Sequence, residues 1–104
     1  MRKITIKWLK QAEADLKAAR DSLSDGNHEW SCFQSQQSGE KALKACLYEK
    51  GYTSIVTHSL KELLKECSKL DASFNKLSTD ARPVLTLTLS NNFVNFKHIV
   101  LIVL

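Results

Sequence analysis

The sequence predicts an all-α fold: an antiparallel up-down bundle with four helices in residues 6–82, followed by an irregular or strand-like apolar tail. Three observations predict it. Apolar residues recur three and four apart in two long segments and one shorter one. Short Gly/Asn-containing stretches separate the long segments, which favours antiparallel neighbours. A Ser-x-x-Glu capping box opens the third segment.

The first helix is expected over Ile6 to Leu23. Trp8, Leu9, Ala12, Leu16, Ala19 and Leu23 form its apolar face, and Lys7, Lys10, Glu13, Lys17, Arg20 and Asp21 cover the rest. Glu13 precedes Lys17 by four, the favourable order for a helical ion pair. Ser24-Asp25-Gly26-Asn27 ends the helix, with Gly26 suited to positive φ and Asn27 to capping the next one.

The second helix runs from His28 or Glu29 to Glu49, and Gly51 closes it. Phe33, Leu43 and Leu47 share a face, but Gln36 and Glu40 fall on the same 3–4 rhythm. Two readings stay open. Either the helix is rotated so that both polar residues are solvated, or they lie in a packed seam and must be paired. Gly39 in mid-helix costs about 0.5–1 kcal/mol relative to Ala, usually in exchange for close approach of another backbone. Gln37, Lys41 and Lys44 lie on a neighbouring face.

Residues 52–58 read as a loop. Ser59 caps the third helix, Glu62 reaches back to it, and Leu60, Leu63, Leu64 and Cys67 form its apolar face to about Leu70. His58 precedes the cap, where it can bond across to another helix or meet a ligand. Asp71 can cap a short fourth helix over residues 72–81, and Arg82-Pro83 stops it. From Val84 to Ser90 the period becomes two, and Ile99 to Leu104 is an apolar run of six, too short to span a membrane. The division expected is therefore 1–82 as the helical domain and 83–104 as an atypical tail, either a β-hairpin or a truncated or divergent end.

Composition narrows the class. The chain has 104 residues, 43% hydrophobic and 25% charged, which is globular and large enough for one core. Net charge is +4 and the pI about 9.1. Charges mix in sign along the chain, which argues for a solvated lysine-rich surface over nucleic-acid binding, while still favouring phosphate-bearing ligands. Cys32, Cys46 and Cys67 form no Cys-x-x-Cys pair and read as buried thiols in a reducing compartment. The N-terminus lacks the apolar region of a secretory signal, so a cytoplasmic location is expected. There is no phosphate loop, His-Glu-x-x-His or nucleophile elbow. No enzyme activity, metal site or cofactor is expected.

The ordered combination of Trp8 to Ala19, Phe33 to Leu47 with its Gln36-Gln37 and Glu40-Lys41-Ala42-Leu43-Lys44-Ala45 core, and Thr57-His58-Ser59-Leu60 followed by Leu63-Leu64 resembles the HEPN domain family. The resemblance covers roughly residues 6–80; such domains occur as a C-terminal module of sacsin, a chaperone-related protein, and as bacterial partners of small nucleotidyltransferases, and the sacsin-like branch is the one expected here. The resemblance implies a helical bundle that dimerises and binds a nucleotide, GTP or ATP. On that basis Lys41 and Lys44 are expected to contact phosphate, with Gln37 and His58 as polar contacts. Phe33, Gln36, Glu40 and Leu43 are expected to line the dimer or groove seam. A homodimer and a chaperone partner are implied; neither DNA nor a membrane is. Exposed lysines on a solvated helix, and an interaction bundle without any ligand, remain the alternatives. Ribonucleases of the family carry Arg, four to six residues, then His. Here the arginines are Arg2, Arg20 and Arg82, and none stands in that relation to a histidine. From Pro83 onwards the chain departs from the family pattern.

Overall fold

The computed structural model describes residues 1–55 and 59–70. These form three helices, α1 (Lys3–Ser24), α2 (His28–Glu49) and α3 (Leu60–Leu70), with no strand among the described residues. The fourth helix expected over 72–81 and the tail at 83–104 lie outside them.

α1 and α2 pack antiparallel through two heptad-spaced ladders. The inner ladder is built from small residues. Ser31 Oγ donates to the Ala19 carbonyl at 2.8 Å, and Ser38 Oγ to the Ala12 carbonyl at 2.7 Å. A hydroxyl that reaches the facing backbone is possible only where the helices approach closely, and Gly39, also buried, stands beside Ser38. The outer ladder has three rungs on α1 positions 8, 15 and 22. Trp8 stacks on Tyr48 with ring centroids 5.9 Å apart, Asp15 meets Lys41, and Ser22 meets Gln34 at 2.7 Å. With its amide nitrogen turned inward, Gln34 also reaches the Ala18 carbonyl at 3.1 Å.

This arrangement corrects the expected packing face of α2. The buried positions in its first half are Ser31, Ser35 and Ser38, whereas Phe33 is 51% exposed. Gln36 is exposed and Glu40 half-buried, their side chains 3.4 Å apart, so within one protomer the solvated reading holds for Gln36. Ser31 and Ser38 satisfy their hydroxyls on α1 carbonyls and so behave as small core residues, while the buried Ser35 hydroxyl has no partner among the described residues. Cys32 is exposed, correcting its expected burial; Cys46 and Cys67 are buried.

α1 starts three residues earlier than its apolar period suggested. Tertiary contacts extend it: Arg2 donates its backbone amide to Glu49 Oε1 at 2.9 Å and its guanidinium to the Tyr48 carbonyl at 2.8 Å, while buried Thr5 donates to Glu49 Oε1 at 2.9 Å. Lys17 lies against Asp21 at 3.3 Å, an exposed pair worth little. At the turn, Gly26 takes φ 81°, as its position required, but Asn27 makes no side-chain cap bond. Gly51, at φ 100°, closes α2.

α3 packs on the second half of α2. Leu43, Cys46 and Leu47 meet Leu60, Leu63, Leu64 and Cys67 in one cluster, with Ala12 beneath and Leu9, Tyr52 and Ile55 at its edge. Burying each of these leucines contributes about 1.5–3 kcal/mol. The Ser59 hydroxyl accepts the Glu62 amide at 3.3 Å, as the capping box predicted. Tyr52 donates its hydroxyl to Glu66 at 2.9 Å, and Lys69 pairs with the same carboxylate, so the loop is fastened to α3.

Candidate functional site

Gln37, Lys41, Lys44 and Tyr48 follow one another at four, three and four residues, so they share a face of α2. α1 presents Trp8 and Asp15, seven apart, to that face. The Lys44 ammonium lies 5.4 Å from the centre of the Trp8 ring, within cation–π range. Lys44 is only 5% exposed, so its side chain is buried almost entirely. Lys41 lies 2.6 Å from Asp15 Oδ2, both side chains about a quarter exposed. The approach is too oblique for an aligned hydrogen bond, so Asp15 Oδ2 has an ionic partner but no aligned donor among the described residues.

The sequence-expected site residues therefore divide. Lys41 and Lys44 are brought together with half-buried Gln37 along one side of the α1–α2 pair. They are not the solvated lysines of the alternative reading, because Asp15 and Trp8 engage them. His58 lies outside the described residues. Phe33, Gln36 and Glu40 stand on the outer side of α2, but Leu43 does not join them: it is wholly buried in the core, where its carbonyl receives the Cys67 thiol at 3.7 Å. Three residues of this face escaped sequence reasoning, namely Asp15, Trp8 as a cation–π partner, and Tyr48. The signal for them was the heptad spacing of 8, 15 and 22 against 34, 41 and 48.

Chemically, this face of the α1–α2 pair carries two ammonium groups, that of Lys44 on an almost wholly buried side chain, and a pair of stacked rings. Burial pushes the Cys46 thiol up to about 12 and raises Cys67 further, so neither is a thiolate nucleophile at neutral pH. Among the described residues no group of three or more His, Cys, Asp or Glu is placed to hold a metal ion. No helix among them is long and apolar enough to cross a membrane.

A family model described as the HEPN domain matches residues 5–90. The match spans most of the chain and contains all of α2 and α3, and the chain belongs to the HEPN domain family. Neither the curated proteins nor the solved structures return a match.

Proposed function

We propose that the chain is a non-catalytic HEPN module that binds a nucleotide, GTP or ATP, along the α1–α2 groove. HEPN domains are nucleotide-binding or ribonuclease-like modules, and the convergence of Lys41 and Lys44 on one side of α2, beside the stacked Trp8 and Tyr48 rings, carries this choice. Ammonium groups recognise phosphate as point charges, and ring faces suit a base. The missing Arg-x4–6-His motif argues against RNA cleavage. The wider proposal keeps the sacsin-like branch, a cytoplasmic location, a chaperone partner, and a four-helix bundle in residues 6–82 with a distinct tail. It also includes homodimerisation through the outer side of α2, where Phe33, Gln36 and Glu40 lie. Calorimetric titration of ATP and GTP into the full chain tests the ligand, and light scattering across a concentration series tests the dimer.

A second reading, an interaction bundle without ligand, is favoured by one observation: Trp30 and Phe33 are 62% and 51% exposed. Silent calorimetry together with a defined complex would select it.

A further inference from the structure

Charges mix in sign along most of this chain, but one window departs from that pattern. The chain carries 15 Lys and Arg against 11 Asp and Glu, yet residues 21–40 hold Asp21, Asp25, Glu29 and Glu40 and no Lys or Arg. That window has a formal charge of −4, and the remainder, with 15 basic and 7 acidic side chains, has +8. The fold gathers Asp21, Asp25 and Glu29, all exposed, around the α1–α2 turn, at one end of that helix pair.

Among the described residues, the same end carries the largest exposed aromatic groups. Trp30 and Phe33 meet edge to face, with centroids 5.7 Å apart, and Leu23 is 38% exposed. Two shallow hollows of about 400 and 360 Å³ lie here, one from Gly26 to Trp30 and the other between Glu29, Trp30 and Phe33. Among the described residues neither Trp30 nor Phe33 belongs to the core cluster, and tryptophan is enriched among binding hot spots.

We infer that this acidic, aromatic tip is a docking surface for a cationic amphipathic segment of a partner protein, its apolar side chains seated on Trp30 and Phe33 and its lysines or arginines facing Asp25 and Glu29. Charge decides the occupant. A second copy docking tip to tip would bring Asp21, Asp25 and Glu29 against their own equivalents, and phosphate-bearing nucleic acid or an anionic membrane would be repelled. The basic groups at the border are Lys17, Arg20 and His28; Lys17 is already held by Asp21 in a solvent-screened pair. The surface is separate from Lys41 and Lys44 and does not depend on nucleotide binding; it shares Phe33 with the proposed dimer face, so a partner segment and a second copy would compete for that side chain.

The test uses the full chain and a fluorescent amphipathic helix of lysine and leucine, read by anisotropy. Saturable binding is expected, weakening as salt rises. Trp30→Ala, and separately Asp25→Lys with Glu29→Lys, should each weaken it at least about tenfold. All three positions are exposed, so an unchanged circular dichroism spectrum accompanies the loss. Any of four results overturns the inference: no saturable binding; binding that both variants retain; equal binding of a glutamate–leucine helix; or a Trp30→Ala change in the mass of the chain itself, which would make the patch a self-association site.

Discussion

Lys41 Nζ stands 2.6 Å from Asp15 Oδ2, across the middle rung of the outer α1–α2 ladder. The ammonium proposed to meet phosphate is therefore held by a carboxylate in the unliganded protein. A phosphate entering the groove must displace Asp15 or share Lys41 with it, against like-charge repulsion. Asp15→Asn removes the competitor and keeps the shape. Tripolyphosphate and ATP should bind about three- to tenfold more tightly to this variant, with a stability loss of no more than about 1 kcal/mol for a partly exposed pair. Calorimetry with a urea melt measures both. Unchanged affinity beside lowered stability would make the pair purely structural.

The inner ladder predicts a size limit at Ser38. Ser38→Ala removes the hydroxyl donated to the Ala12 carbonyl and should cost about 1 kcal/mol. Ser38→Val should cost about 1–3 kcal/mol more through overpacking of the close interface. If valine were tolerated as well as alanine in urea denaturation, the helices would not be as close as the hydroxyl contact requires.

Core and outer residues of α2 should separate cleanly. Leu43→Ala is expected to cost about 2–5 kcal/mol, because the side chain is wholly buried and its loss leaves a cavity. Phe33→Ala should change protomer stability by less than about 0.5 kcal/mol, as for an exposed site. A large effect of Phe33→Ala that grew with protein concentration would instead report a dimer across that side.

Acid should loosen the attachment of the start of α1. Glu49 is held below its ordinary value of 4.5, first by the Arg2 backbone amide and then by the Thr5 hydroxyl. Its contribution is full above pH 4.5 and is lost as pH falls through the lower folded value. Glu66 is lowered in the same direction, first by Lys69 and then by Tyr52. Thermal melts should show stability falling below pH 4.5, with a shallower decline in Glu49→Gln. Equal slopes for the two proteins would remove Glu49 from the acid response.

Much of the fold is legible because helical propensity, turns and caps agree. Gly26, Gly51 and the Ser59–Glu62 box mark the ends of α1 and α2 and the start of α3, and the Leu60–Cys67 stripe marks what α3 buries. The face of α2 was harder to read. Ser31, Ser35 and Ser38 count as polar in any hydropathy pattern, yet two of their hydroxyls bond to the backbone of α1 and all three are buried. Phe33, the obvious core candidate, is left outside by that choice. Of the groove, Gln37, Lys41 and Lys44 could be placed on one face by spacing alone. Their engagement by Asp15 and Trp8 depends on the register between two helices, which a single-helix period does not contain. Burial of Cys46 and Cys67 followed from their apolar neighbours; the same neighbours misled at Cys32, whose direction is set by the serine ladder.

The most direct test of the nucleotide reading is calorimetric titration of ATP and GTP into the full chain beside a variant carrying Lys41→Ala and Lys44→Met, the methionine keeping the buried stem of Lys44. The account predicts saturable heat with at least one nucleotide and a roughly tenfold or greater loss in a variant that melts as one folded species. No heat with either nucleotide, or equal affinity in the folded variant, would contradict it.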